Sequence, residues 1–293
     1  MKRTITLFTF VVVAVTMYAQ TLETGKHSLV LDGITKAEVI KEKEAIPYPS
    51  IREDDVFWSR RVWRVVDLRE RLNYPLYYPT QVMQSRKSFV QTLVTAVENG
   101  SLKAYGTEDD EFTSELSIDD VRKRFDAEGR KVTRQKLDGS GDTSYYVAGE
   151  FSWGDVQELL VKEVWYFDKH LSQMFVRIIG ICPIRVYTED LNVADDDETI
   201  SEQLKKQLFW IYYPDARKIL ANTPCYIGDN EISHYSFDDL FLQRRFSSYI
   251  TAISNNQDYR KVSSYTRNAK EAMLESERLK EEIFTFESEL WEY

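Results

Sequence analysis

Between Met174 and Tyr187 the chain is nearly all apolar. Met174-Phe175-Val176-Arg177-Ile178-Ile179-Gly180-Ile181 runs through Cys182-Pro183 into Ile184-Arg185-Val186-Tyr187. Apolar residues at consecutive positions, many of them β-branched, predict a strand buried on both faces. Leu208-Phe209-Trp210-Ile211-Tyr212-Tyr213, closed by Pro214, repeats the pattern. Strands of this kind need a layer on each side, and the rest of the chain must supply those layers.

Helical signals surround these runs. Ser50-Ile51-Arg52-Glu53 reads as a capping box and predicts a helix with Trp58, Val62, Val65 and Leu72 on one stripe, ended at Asn73-Tyr74-Pro75. Phe89, Leu93 and Val97 predict a second helix, stopped by Asn99-Gly100. Ser117-Ile118-Asp119-Asp120 caps a third with Val121 and Phe125. Ser152-Trp153-Gly154-Asp155 opens a fourth through Val156, Leu159, Leu160 and Val164. Arg130 to Leu137 and Tyr145 to Ala148 flank Asp138-Gly139-Ser140-Gly141-Asp142, which predicts a hairpin.

Near the C-terminus, Val262, Tyr265, Ala269, Ala272, Ser276, Leu279, Ile283, Phe286 and Leu290 follow an unbroken 3-4-3-4 rhythm. That stripe predicts a long amphipathic helix, docked on the chain's own core or on a partner. The expected class is α+β: one mixed domain with a small sheet, flanking helices and this terminal helix. Tyr77-Tyr78-Pro79 with a later Ser-Ile-Asp-Asp echoes Tyr212-Tyr213-Pro214 with Ser236-Phe237-Asp238-Asp239, which leaves an ancient duplication open.

At the other end, Lys2-Arg3, the apolar Leu7 to Val15 and Thr16-Met17-Tyr18-Ala19 have the layout of a secretory leader cleaved after Ala19. A buried N-terminal strand is the competing reading. The apolar run is too short to span a bilayer, which takes about 20 residues. No Cys follows the cleavage point to carry a lipid anchor. Residues 1–19 are therefore expected to be a signal peptide, 20–47 a flexible arm, and 48–293 the folded domain. Loss of Lys2 and Arg3 takes the formal net charge from −10 to −12, which disfavours nucleic acid as a partner. The basic clusters Arg60-Arg61-Val62-Trp63-Arg64 and Arg122-Lys123-Arg124 sit among carboxylates and are expected to form solvated, paired surfaces.

Catalytic kits are sparse. His27, His170 and His234 are the three histidines, and no two stand at metal-ligand spacing. Cys182 and Cys225 lie in apolar settings, as buried thiols do, although export would permit a disulfide. Asp195-Asp196-Asp197-Glu198 lacks the glycines of a calcium loop. No nucleophile elbow or phosphate-cradling loop appears. The residues imply no catalytic, cofactor or metal site. At 13% aromatic, the chain has rings to spare for contacts, and Trp58, Trp63, Tyr77, Tyr78 and Trp291 are the candidate core or interface positions.

The block Arg52-Glu53-Asp54-Asp55-Val56-Phe57-Trp58-Ser59-Arg60-Arg61-Val62-Trp63-Arg64-Val65-Val66-Asp67-Leu68-Arg69-Glu70, with Asn73-Tyr74-Pro75-Leu76-Tyr77-Tyr78-Pro79, resembles the opening of the GldN family, also called PorN. Leu102-Lys103-Ala104-Tyr105, Asp238-Asp239-Leu240-Phe241, Leu274-Glu275-Ser276-Glu277, Ile283-Phe284 and Glu289-Leu290-Trp291-Glu292-Tyr293 are similar too, and in order. The resemblance spans roughly Tyr48 to Tyr293. It implies a periplasmic component of the Bacteroidetes type IX secretion and gliding machinery. Such a component forms a large ring beneath the outer membrane with a lipoprotein, GldK or PorK, and meets the inner-membrane motor subunit GldM or PorM. The family carries no catalytic residues. Some relatives have longer termini, so contacts made by such extensions are not carried over. The readings that compete with an assembly subunit are a periplasmic hydrolase, or a carbohydrate-binding or other ligand-binding protein that stacks its aromatics.

Overall fold

The computed structural model describes residues 42–290, apart from 84–85, 128, 136–141, 148, 193–198, 229–234 and 256–258. The leader, most of the arm, His27, His234, the acidic run at 195–198 and Trp291 lie outside the described residues.

In chain order the strands are β1 (Val56–Asp67), β2 (Ala104–Tyr105), β3 (Glu115–Leu116), β4 (Arg130–Gln135), β5 (Asp142–Val147), β6 (Val156–Asp168), β7 (Gln173–Asn192), β8 (Thr199–Gln207), β9 (Trp210–Tyr212), β10 (Pro224–Cys225), β11 (Tyr235–Ser236) and β12 (Tyr249–Ile253). The helices are α1 (Tyr74–Tyr77), α2 (Phe89–Glu98), α3 (Ile118–Arg124), α4 (Tyr213–Ala221), α5 (Phe237–Leu242) and α6 (Ala269–Glu289). Among the described residues, eight strands make one sheet in the order β12-β1-β6-β7-β9-β2-β3, with β8 also on β7. Every pairing in it is antiparallel. The class is α+β, as expected, but the sheet is larger than the small one anticipated.

The difference lies in β1 and β6. Neither Ser50 nor Ser152 opens a helix. Glu53–Asp55 and Trp153–Asp155 are single 3-10 turns without a side-chain cap, and each leads straight into a strand. The two strands pair along nearly their whole length, from Val56 opposite Asp168 to Asp67 opposite Glu158. The physical reason is burial on both faces. Val62 through Val66 are all buried, so the period of two vanishes and the apolar spacing passes for a helical stripe. Chain composition favours the strand, since Val, Trp and Phe fill most of Val56 to Val66.

Elsewhere the local signals hold. Ser88 and Ser236 make capping boxes with Gln91 and Asp239, and Ser117 caps α3 by accepting from the Asp120 amide. The hairpin forms as β4 and β5, in register from Arg130↔Val147 to Gln135↔Asp142. β7 continues through Pro183 as one strand. In the Leu208–Tyr213 run only Trp210–Tyr212 joins the ladder, because Tyr213-Pro214 opens α4.

Directly paired residues share a sheet face, so the β1–β6 register layers one face of the sheet. At the start of β1, Trp58 meets Phe286 of α6 with ring centroids 4.7 Å apart. Next come Arg60, 2.9 Å from Glu282, and then Val62, which clusters with Ile250, Ile253 and Ile283. Farther along, Val66, Leu159 and Val161 enter the main core beneath α2, α4 and α5, where Phe89 packs edge-on against Phe237. From Ala269 onward the predicted seam therefore docks on its own sheet, whereas its first two positions, Val262 and Tyr265, precede the helix in and just after a 3-10 turn. Ser276 and Ile283 are its buried members, and the Ser276 hydroxyl accepts from the Ile250 amide.

On the other face, residues 106–114 are strapped down by Lys162. Its Nζ lies 2.7 Å from the Asp110 carbonyl and 3.1 Å from its carboxylate, which also accepts from Trp63 Nε1 at 2.7 Å. The strap places Phe112, with φ of 60°, over Gly180, where a Cβ would come within 2.5 Å of the ring. Gly180→Ala is accordingly expected to cost about 1–3 kcal/mol through overpacking, read as a lower urea midpoint. Combining it with Phe112→Ala should recover none of the lost stability beyond the clash itself. An unchanged midpoint for Gly180→Ala alone would show that the ring gives way freely.

The second basic cluster is solvated and paired as expected, with Arg122 to Glu98, Lys123 to Asp120 and Arg124 to Glu108. The first is not. Arg64 is buried and lies 3.3 Å from Glu163, because it stands on a strand between two covering layers and not on a helix face.

Two carboxylates tie stability to pH. Arg69 donates to Asp67, and although burial opposes it, this holds the Asp67 carboxyl below its ordinary value of 3.8. At Asp239 burial pushes up, but donation from Lys43 and from the Ser236 amide and hydroxyl outweighs it and again lowers the value below 3.8. With a lower value folded than unfolded, each contributes stability above about pH 4 that is lost as pH falls below that. The urea midpoint is expected to drop below about pH 4, and Asp239→Asn should flatten that limb.

Candidate functional site

Residues 72–85 contain no Asp, Glu, Lys or Arg in a chain that is 29% charged. Four cations, Arg69, Arg71, Arg86 and Lys87, flank this stretch, with Glu70 the single acid beside them. It joins the end of β1 to α2, and several local contacts hold it in place. The Asp67 carboxylate takes Arg69 Nε at 3.0 Å and the Arg69 amide at 2.9 Å, turning the chain out of the strand. Asn73 is fully buried. Its Nδ2 donates to the Asp67 and Ser247 carbonyls at 2.7 and 3.0 Å, and its Oδ1 accepts from the Ser247 amide at 2.9 Å.

Leu76 of α1 is anchored in the core, and Tyr77 donates its hydroxyl to the Gly154 carbonyl at 2.9 Å. Burial raises the Tyr77 hydroxyl above its ordinary value, so it stays a donor. Gln91 Nε2 then reaches back to the Pro79 and Gln81 carbonyls at 3.1 and 3.4 Å. The outward residues are apolar or aromatic: Leu72, Tyr74, Tyr78, Val82 and Met83 are 42–80% exposed. Tyr78 stacks edge-on to both Tyr74 and Tyr77. A fixed, uncharged aromatic surface has the composition of the centre of a protein interface, where charge is depleted and Tyr enriched. Little ordering entropy remains to be lost when it binds.

The other predicted positions fall in different places. Trp63 is a core residue, bonded to Asp110 and 5.3 Å from the Tyr259 ring. Trp58 is half-buried, with the Arg60 guanidinium 5.7 Å over its ring. It walls a groove of about 360 Å³ beside Ile283 and Phe286. A second groove of about 580 Å³, lined by Tyr259, Tyr265 and Leu279, shares Arg60 and Glu282 with the first. Trp63→Ala should cost about 3–5 kcal/mol, and Trp58→Ala clearly less. Thermal melts of the two variants check this, and equal losses would contradict the assignment.

Sequence reasoning passed over Val82 and Met83, and over Met273, Leu274 and Phe284 on the outer face of α6, all exposed. The uncharged run was a visible signal for the first pair. Exposed apolar residues on α6 gave none, because they fall between the seam positions.

Among the described residues, no group of three or more His, Cys, Asp or Glu side chains is arranged to hold a metal ion. No helix there is long and apolar enough to cross a membrane. Cys182 and Cys225 are buried thiols, each pushed up to about 12 by burial. Many of the charged side chains in the interior are engaged in ion pairs of the fold, among them Arg217 with Asp238 and Glu163 with Arg244.

No curated protein matches the chain. A family model described as "Gliding motility associated protein GldN" matches residues 51–292, which takes in the whole described sheet, the aromatic segment and α6. With that match running across about four fifths of its length, the chain belongs to the GldN family of gliding motility associated proteins.

Proposed function

We propose that this chain is a structural subunit of the periplasmic ring of the type IX secretion and gliding machinery, acting by protein contact and not by catalysis. Its partners would be an outer-membrane lipoprotein of the GldK or PorK kind, a motor subunit of the GldM or PorM kind, and further copies of itself. Family membership supports the machinery. The observation that carries the mode of action is the segment 72–83, which presents apolar and aromatic side chains to solvent on a backbone held by partly buried hydrogen bonds. Exposed apolar surface of this kind marks contact sites in soluble proteins. The leader-like residues 1–19 support export, and the lipoprotein would hold the exported chain at the outer membrane.

The test is affinity purification of the tagged, processed chain from detergent-solubilised envelopes. Co-purification of an outer-membrane lipoprotein in a large assembly is expected. Recovery of the protein alone and monomeric would overturn the reading. A hydrolase, by contrast, would bring proton-transferring groups to an open cleft. Among the described residues, Tyr213, Asp238 and Arg217 do cluster, but they are buried, with the Tyr48 ring over the guanidinium.

A further inference from the structure

Two exposed apolar patches on this chain have opposite electrostatic settings. One is the aromatic segment 72–83. Residues 67–87 hold four cations and two acids, with Arg69 already paired to Asp67, which leaves the surroundings of the segment net positive. The other is the outer face of α6, where Met273, Leu274 and Phe284 are 55, 65 and 69% exposed. At 100° per residue these three fall within about a third of the helix circumference, together with Glu277, Glu281 and Lys270, while Lys280 at the edge of this sector pairs with Glu277. Over its 21 residues α6 carries seven carboxylates against three cations. Its opposite face is already committed to the sheet through Ser276 and Ile283.

Both patches face solvent within one chain, so neither covers the other. Each is apolar at its centre, and their charged surroundings are of opposite sign. Complementary potentials of this kind select and orient a partner, and burial of the apolar centre stabilises the contact. The aromatic segment is fixed by Asn73, Tyr77 and Gln91, and α6 by its docked seam, so both surfaces are pre-organised.

We infer that the segment 72–83 of one copy docks on the outer face of α6 of a second copy. This rests on the proposed role as an assembly subunit and specifies the contact that role would use. Because the two surfaces differ, the contact is heterologous. Each copy keeps one free surface of each kind, and repetition builds a closed ring or an open filament, not a two-fold dimer.

Single-cysteine probes test it on the full processed chain. Val82→Cys and Phe284→Cys stand on exposed positions, and the native Cys182 and Cys225 thiols, raised to about 12 by burial, stay unreactive near pH 8. Equal mixtures of the two variants, tagged differently, are expected to form the mixed disulfide about tenfold faster than either variant forms a disulfide with itself. Preferential Val82→Cys self-linking would mean a two-fold contact and would overturn the inference.

A second measurement protects against a probe that merely reacts poorly. Phe284→Glu and Tyr78→Glu, each with an unchanged thermal melt, are expected to weaken self-association at least tenfold by sedimentation. If both variants assemble normally and still co-purify with the lipoprotein, the inference fails while the assembly role stands. If the unaltered chain is monomeric and purifies alone, the assembly role itself fails.

Discussion

Replacing Asp238 with Ala is expected to destabilise the protein by about 3–5 kcal/mol, the loss seen when one partner of a buried ion pair is removed. Arg217 donates to Asp238 in a fork, Nε to Oδ1 at 2.9 Å and a terminal nitrogen to Oδ2 at 3.0 Å. The Tyr213 hydroxyl donates to the same Oδ1 at 2.9 Å. The two charged side chains are only 6% and 4% exposed, and the Tyr48 ring closes over the guanidinium at 4.1 Å. Burial, and next the Asp238 charge, raise the Tyr213 hydroxyl well above its ordinary range, so it remains a donor at any working pH.

Without the carboxylate, the guanidinium and the phenol stay buried with nothing to accept their hydrogens. A domain stable by about 5–15 kcal/mol loses a large share of that stability through this single change. Arg217→Met alone should be similarly costly. The double variant Arg217→Met with Asp238→Leu should recover much of the loss, because an apolar pair of similar volume tolerates burial. Urea unfolding of the three proteins decides the matter. Additive losses in the double variant would mean that packing, and not charge, sets the effect.

Glu163→Gln is expected to cost about 3–5 kcal/mol as well, for a different reason. Glu163 is completely buried between two guanidiniums, and its side chain has one negative charge to set against two positive ones. Arg244 contacts both carboxylate oxygens, at 3.0 and 3.3 Å, and Trp165 Nε1 donates to Oε2 at 2.9 Å. Arg64 Nε lies 3.3 Å from Oε2 but is not aligned for a hydrogen bond, so the carboxylate acts on it chiefly through charge. Burial, the larger influence, lowers the Arg64 value, and Glu163 opposes that shift.

The amide of Gln keeps the shape and removes the charge, leaving two cations facing each other. Adding Arg244→Met should therefore restore part of the stability, since it removes one of them. Glu163 also sits where two covering layers meet, α6 on one side and the main core on the other. Hydrogen exchange in α6 is expected to quicken together with that of β12. An unaltered midpoint for Glu163→Gln would show that Trp165 and solvent reaching Arg244 suffice without the charge.

Much of the local structure could be read directly. Of the caps read from sequence, Ser117 holds because its hydroxyl accepts an amide within the same turn, whereas Ser50 and Ser152 carry the same signature and cap nothing, and the caps at Ser88 and Ser236 were not read. The α6 seam was legible because its period belongs to the helix itself. The aromatic segment was legible only in part. Tyr77 and Tyr78 were singled out, but whether each points inward or outward depends on Gly154 and Gln91, far away in sequence or across a turn.

By itself the sequence determined an α+β chain with two doubly buried strands, short capped helices and a terminal amphipathic helix, and it carried the GldN-like blocks. Only the tertiary structure decided that Val56–Asp67 and Val156–Asp168 are strands, because each hydrogen-bonds to the other about a hundred residues away. It also decided that Asp238 meets Arg217, that Glu163 meets Arg244, and which aromatic side chains remain exposed. Periodicity and capping are properties of neighbours along the chain. Strand pairing and the neutralisation of buried charge depend on what the fold brings from elsewhere, and a doubly buried strand leaves no alternation by which to foresee it.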